Sequence, residues 1–177
     1  MKLGIFCFGN SARGDDAAGE IVHQWLNTML ELNDPPFNQH QITLLYDFQL
    51  QPEHIYDLEQ SELNVFIDCQ HPPNQHDHTD DHPHDYTHDS PQDNPQDNIG
   101  VHWQPLQPAG QTTYSTHNLN PESLLYLYEK CLEKEAPPCF MLAIEGQQFE
   151  LGSQPSHLMR ANIEQAKQLL ITKLAQL

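Results

Sequence analysis

Basic side chains are the scarcest feature of this sequence. The 177 residues include 7 lysines and arginines against 25 aspartates and glutamates, which gives a formal net charge of −18. No lysine or arginine lies between Arg13 and Lys130. Because a field of that sign repels nucleic acid and anionic membrane surfaces, we expect neither nucleic acid nor a membrane among the partners.

Long apolar runs and paired cysteines are also absent. The apolar stretches are well short of the ~20 residues that cross a bilayer, and the first residues lead into a strand-like run without the apolar core of a secretory signal. No CxxC pair occurs among the four cysteines, which are Cys7, Cys69, Cys131 and Cys139. We expect buried structural thiols rather than disulfides or zinc ligands. These absences predict a cytoplasmic protein.

Short apolar runs alternate with amphipathic helical patterns along the chain. The strand-like runs fall at about residues 2–8, 41–48, 63–69, 99–104 and 139–144. The helical patterns fall at about residues 16–32, after Pro52, after the Asn120-Pro121 cap and at about 156–176. Strands separated by helices of this length pair in parallel, with helices on both faces of the sheet. The sequence therefore predicts an α/β fold, a three-layer α/β/α sandwich with a mainly parallel five-stranded sheet.

The composition changes completely between residues 71 and 98. This segment holds six histidines and seven aspartates with scarcely any apolar side chain, so it cannot contribute to a core. We expect an exposed, disordered insertion in a single domain that spans residues 1–177. Its closely spaced histidines could chelate nickel or zinc, for example His76 with His78. The alternative is a tolerated loop without a function of its own, since long insertions cost little.

Two adjacent carboxylates follow the first predicted strand. Asp15 and Asp16 stand where that strand gives way to a helix, and open α/β sheets bind their ligands at this edge. The positive end of the helix is expected to keep Asp15 or Asp16 ionised, which suits a metal cation or a helix cap and repels a phosphate. The turn also lacks the GxGxxG and GKS/T patterns of nucleotide cradles.

Three polar residues are predicted to meet at that edge of the sheet. Asp16 follows the first strand, Asp68 ends the third, and His117 precedes the helix that begins near Pro121. Two carboxylates and one imidazole with an open position suit nickel, zinc or iron(II). Alternatively, Asp68 only caps a loop and His117 is a hydrogen-bonded surface residue. Since neither GxSxG nor HExxH occurs, the nucleophile of a hydrolase on this chain would be water.

Three stretches of the sequence match the motifs of one known family. They are Gly-Asn-Ser-Ala-Arg-Gly-Asp-Asp-Ala-Ala-Gly at residues 9–19, Val-Phe-Ile-Asp at 65–68 and Tyr-Ser-Thr-His at 114–117. On these stretches the chain resembles the [NiFe]-hydrogenase maturation endopeptidases, which are nickel-dependent processing proteases grouped with the aspartic-type endopeptidases. The resemblance covers essentially everything except residues 71–98. It implies an enzyme that removes a short C-terminal extension from a hydrogenase large-subunit precursor after nickel has been inserted.

The resemblance also implies roles for particular residues. The acidic residue in the family's first turn, its aspartate after the third strand and its histidine before a later helix fall on Asp16, Asp68 and His117. These three would be the catalytic and metal-binding set, and the precursor would supply the nickel. The ion has one of two roles. It is only a checkpoint, so that cleavage requires its presence, or it also acts as a catalyst by polarising the scissile carbonyl or activating water. We favour the checkpoint, because a weak oxygen-rich site stays largely empty until a substrate brings its own metal.

Other features of the sequence refine or compete with this interpretation. Residues 47–54, 116–125 and 149–152 resemble the subgroup that serves cytoplasmic NAD-linked bidirectional hydrogenases. Residues after the last strand, including 149–152, could line the groove that receives the extension, or form a plain strand-ending loop. The rival functions are a nickel-binding carrier or storage protein that works through the histidine-rich segment, and a flavin-binding electron carrier on a similar sheet.

Overall fold

The structure, a computed structural model, describes residues 1–71, 100–110 and 119–177. Its strands are β1 (Lys2–Phe8), β2 (Gln41–Asp47), β3 (Leu63–Gln70), β4 (Val101–Leu106) and β5 (Cys139–Glu145). Its α-helices are α1 (Ala18–Leu32), α2 (Ile55–Leu58), α3 (Pro121–Leu132) and α4 (His157–Leu174). The elements lie where the sequence pattern predicts them, with β4 displaced by about two residues.

The strands form one sheet in the order β2-β1-β3-β5-β4. β1 pairs in parallel with β2 and β3, and β3 pairs in parallel with β5. Only β4, among the described strands, runs antiparallel to its neighbour. The predicted five-stranded, mainly parallel α/β fold is therefore confirmed. β4 accommodates Pro105 because an edge strand has fewer ladder hydrogen bonds to make than a central one.

Both faces of the sheet are covered by helices. Side chains of β1 point alternately to the two faces of the sheet. Ile5 packs in the cluster that contains α1 and α4 residues, and Phe6 packs in the cluster that contains α2 and α3 residues. This arrangement explains why the parallel strands show continuous apolar runs rather than a strict alternation. The carboxyl ends of β1 and β3 thereby form an open edge between two packed layers.

Details of the helix ends and the cysteines bear on the sequence predictions. Asn120 caps α3 as expected, because its side chain accepts a hydrogen bond from the Ser123 N–H at 2.8 Å, with Pro121 in the first turn. All four cysteines are free thiols, and three of them are buried. The expectation of burial is wrong for Cys131, which is exposed on α3 because it lies on the side of the helix away from the core.

Some predictions concern parts of the chain that the structure does not describe. The insertion predicted at residues 71–98 falls, from residue 72 onward, outside the described ranges, and so does His117. The single domain over residues 1–177 stays a prediction. Among the residues described, no helix has both the length and the apolar character needed to cross a membrane.

Candidate functional site

The turn after β1 separates its two adjacent carboxylates. Asp15 is fully buried. Its carboxylate accepts hydrogen bonds from the backbone N–H groups of Gln147 at 2.9 Å, Gln148 at 3.1 Å and Ser156 at 2.6 Å, and from the Ser156 hydroxyl at 2.9 Å. Asp16 is half-buried and lines the cleft at the carboxyl edge of the sheet. Asp15 therefore ties two segments of the chain together, and Asp16 is the carboxylate that a ligand can reach.

The position of Asp16 depends on a glycine. Gly9 has a φ of +142°, and a Cβ there would lie 2.0 Å from the backbone oxygen of Asp16. Burial raises the pKa of Asp16, while a hydrogen bond from the Asn10 N–H at 3.0 Å and the charge of Arg13 lower it. The sequence-based expectation that the helix start keeps this carboxylate ionised is thus opposed by desolvation, which the sequence pattern does not reveal.

Asp68 lies at the end of β3 and faces the same cleft. Its Oδ1 accepts a hydrogen bond from the Cys69 N–H at 2.8 Å. Burial, together with the negative charge of Asp16, raises the pKa of Asp68 to about 7. This carboxyl group therefore holds its proton at a higher pH than an exposed aspartate does, and a bound cation would displace the proton.

Asp16 and Asp68 line one cleft with a volume of about 290 Å³. Its walls come from residues 48–50, which follow β2, and from residues 119–121, where α3 begins. The structure therefore brings two of the three predicted site residues to one place. The third, His117, lies outside the described residues. Within the parts of the chain that are described, no group of three histidine, cysteine, aspartate or glutamate side chains converges to hold a metal ion.

One buried histidine supports the cleft and was not singled out from the sequence. The Nδ1 of His54 accepts a hydrogen bond from the Gln51 N–H at 2.9 Å, which assigns the ring proton to Nε2. That nitrogen faces Asp47 Oδ2 at 3.5 Å, and the ring packs edge-on against Phe8. His54 thus holds the loop that carries Phe48. The Gln-x-x-His spacing of a capping box is the signal that could have found it.

Comparisons with known proteins give a result at the level of structure. No family model and no curated protein sequence matches the chain. The hydrogenase maturating endopeptidase HybD from E. coli superposes with a TM-score of 0.66 at 12% identity, over 99% of this chain and 93% of that chain. The chain has the fold of hydrogenase maturation proteases.

Two further solved structures give similar values. The [NiFe] hydrogenase maturation protease HycI from Thermococcus kodakarensis KOD1 matches with a TM-score of 0.62 at 18% identity, over 99% of this chain and 93% of that chain. The hydrogenase 2 maturation peptidase from Thaumarchaeota archaeon SCGC_AB-539-E09 matches with a TM-score of 0.58 at 17% identity, over 98% of both chains. At such identities the likeness is one of fold, and a function has to be argued from the cleft.

Proposed function

We propose that the protein is an endopeptidase that removes the C-terminal extension of a [NiFe]-hydrogenase large-subunit precursor after nickel insertion. Nickel acts as the recognition element, and Asp16, Asp68 and His117 bind it. The observation that carries this proposal is the pairing of Asp16 with Asp68 in one cleft, on the fold of known maturation endopeptidases. The precursor is the partner and supplies the ion.

The electrostatics of the cleft favour a divalent cation. Asp16 lies close enough to Asp68 for its charge to raise the pKa of that carboxyl group, so the two carboxylates repel each other even though Arg13 stands near Asp16. A divalent ion reverses this repulsion and releases the proton that Asp68 holds. Carboxylate oxygens alone bind nickel weakly, and the cleft therefore fills only when a precursor presents an ion that it already holds.

The carboxylates position the substrate in this mechanism. Once Asp16 and Asp68 hold the precursor's nickel, the end of the precursor is fixed over the cleft, and the peptide bond to be cut is restrained beside it. Water is the nucleophile, since no activated serine, cysteine or lysine accompanies the carboxylates in the motifs of the chain. A precursor without nickel is not anchored, and it is left uncut.

The decisive experiment compares nickel-loaded with nickel-free precursor. Mass spectrometry would follow loss of the extension with the wild type and with Asp16→Ala, Asp68→Ala and His117→Ala. We expect cleavage of the loaded precursor only, and a loss of roughly 100-fold or more in each variant. Glu135→Ala is the control, because Glu135 is exposed and precedes β5, at the end of the sheet opposite the carboxyl edge that carries the cleft. Cleavage of nickel-free precursor, or full activity in all three variants, would contradict the proposal.

The histidine-rich segment favours a second candidate function, a nickel carrier or storage protein. That alternative predicts tight binding of several ions per chain and no loss of mass from a co-expressed precursor, whereas the protease produces the mass loss.

We further propose that the substrate belongs to a cytoplasmic NAD-linked bidirectional hydrogenase, on the resemblance of residues 47–54 and 149–152. Preferential cleavage of that precursor over one from a membrane-bound hydrogenase would support this assignment.

A further inference from the structure

A second groove continues the cleft beyond Asp16. It has a volume of about 460 Å³, and Arg13, Phe48, His71 and Phe149 line it; we call it the Arg13 groove. It shares Asp16 and Phe48 with the cleft that contains Asp68. Asp16 therefore stands at the junction of two connected spaces, and a ligand held at Asp16 can extend from one into the other.

Arg13 gives this groove a positive charge. Its Nε donates a hydrogen bond to the backbone oxygen of Phe149 at 3.3 Å. The guanidinium forms no ion pair with any carboxylate of the described residues. Among the groove's lining residues it is the only lysine or arginine, on a chain with a formal net charge of −18. The remaining N–H donors of the planar Arg13 guanidinium match the geometry of the two oxygens of a carboxylate.

Two phenylalanines line the groove together with Arg13. Phe48, which follows β2, is 62% exposed, while Phe149 is partly buried and its ring centroid lies 4.1 Å from that of His71. An apolar side chain placed between the two phenylalanines would remove their rings from water, which favours binding. The groove thus offers an apolar contact beside a charged one.

The wall that carries Phe149 is held in place before any ligand arrives. Asp15 binds the backbone on both sides of this wall, at Gln147 and Gln148 and again at Ser156. The Gly152 N–H also donates to the Ala12 oxygen at 2.6 Å. A pre-organised wall loses little entropy on binding, as a recognition surface requires.

We propose that the Arg13 groove binds the precursor beside the bond that is cut, by pairing a carboxylate of the extension with Arg13 and placing an apolar side chain between Phe48 and Phe149. This inference rests on the proposed function, because it assigns a place to the substrate of that reaction. The positive charge of Arg13 favours a negatively charged group of the precursor as the occupant of the groove. When the precursor's nickel neutralises Asp16, Arg13 leaves the groove with a net positive charge that attracts a carboxylate.

The test measures kinetics on nickel-loaded precursor with Arg13→Gln and Phe48→Ala. We expect KM to rise about 10-fold in Arg13→Gln and several-fold in Phe48→Ala, with kcat within about two-fold of the wild type. Arg13→Lys keeps the charge but loses the two-pronged donor geometry and the bond to Phe149, so its KM should lie between those of the wild type and Arg13→Gln. Arg160→Gln removes an exposed arginine on α4 and is the matched control. A KM within two-fold of the wild type in Arg13→Gln would overturn the inference.

A binding experiment separates this inference from the proposed function. The probe is a fluorescein-labelled synthetic peptide of the extension, prepared with a free and with an amidated C-terminus. Binding is measured on Asp16→Asn protein with and without the Arg13→Gln change, because the uncharged Asn reproduces the neutralisation of Asp16 by nickel. If Arg13→Gln weakens only the free-acid peptide, the terminal carboxylate is the group bound; if it weakens both forms equally, an acidic side chain is. Equal affinity of the two proteins for both peptides would refute the Arg13 contact, even with cleavage intact. An intact wild type that never cuts the precursor refutes the proposed function instead.

Discussion

Ser156 binds Asp15 twice, although the two residues are 141 positions apart in the sequence. The backbone N–H and the hydroxyl of Ser156 both donate to the buried carboxylate, and the Ser156 Oγ also accepts a hydrogen bond from the Met159 N–H as the cap of α4. One carboxylate therefore joins the turn that presents Asp16 to the start of the last helix. The groove wall between them is fixed from both ends.

Removal of that carboxylate should destabilise the whole protein. Asp15→Ala removes the acceptor shared by the N–H groups of Gln147, Gln148 and Ser156 and by the Ser156 hydroxyl, so we expect a loss of roughly 3 kcal/mol or more in the free energy of unfolding. Urea denaturation followed by circular dichroism measures it. Glu150→Ala, an exposed change in the same loop, should stay within about 0.5 kcal/mol of the wild type. An Asp15→Ala variant as stable as this control would show that water replaces the lost acceptor.

The close approach of α1 to β1 makes Gly19 intolerant of a side chain. A Cβ at Gly19 would lie 1.8 Å from the backbone oxygen of Phe8. Alanine is favoured over glycine in helices by about 1 kcal/mol, but the clash with rigid backbone outweighs that gain. We expect Gly19→Ala to lower the free energy of unfolding by about 2 kcal/mol or more.

Gly152→Ala is the comparison for that variant. Gly152 has a φ of +82°, and no heavy atom lies within 4 Å of the position that a Cβ would take, so only backbone strain of about 1 kcal/mol applies. Chemical denaturation of the two variants side by side distinguishes the effects. If Gly19→Ala proved the more stable of the two, the contact between α1 and Phe8 would be looser than the structure has it.

The carboxyl group of Asp68 should make stability depend on pH. Its pKa is raised to about 7 in the folded protein, so folding favours the protonated form. That stabilisation is complete below the pKa of the unfolded chain, near 4, and is lost as the pH rises through 7. Asp68→Asn cannot ionise, so we expect it to be more stable than the wild type at pH 8, by roughly 2–4 kcal/mol.

The measurement is urea denaturation of Asp68→Asn and wild type at pH 4 and pH 8. Most of the advantage of the variant should disappear at pH 4, where the side chain at position 68 is neutral in both folded proteins. Glu150→Gln, changed at an exposed site, should differ from the wild type by the same small amount at both values of pH. An advantage for Asp68→Asn that did not depend on pH would mean that its cause is packing rather than charge.

Deletion of residues 72–97 tests the histidine-rich segment. Gln70 and Gly100 flank the end of β5 on either side, at a separation of roughly 10 Å set by two strand spacings. The residues left between them can span about 13 Å, so the shortened chain can close. We expect an unchanged cleavage rate and unchanged nickel stoichiometry. A fall in bound nickel would identify the segment as a chelator, and a fall in cleavage would assign it a part in the reaction.

The sheet was predictable because its strands are buried on both faces. A parallel strand between two helical layers needs an uninterrupted apolar run, as in residues 3–8 of β1, and such runs separated by helices allow few topologies. The antiparallel direction of β4 was not predictable from its own residues. It depends on the path of the chain between β3 and β4, and an edge strand can pair in either direction.

The sequence by itself determined the α/β class, the positions of the strands and helices, and the placement of Asp16 and Asp68 at the ends of strands. Only the tertiary structure gave the physical reason why Asp16, and not Asp15, is open to a ligand. The family resemblance assigned the site to Asp16, but the two residues are chemically identical and adjacent, so their local chemistry does not separate them. The difference arises from N–H groups more than 130 residues away, which surround Asp15 and leave Asp16 on the cleft.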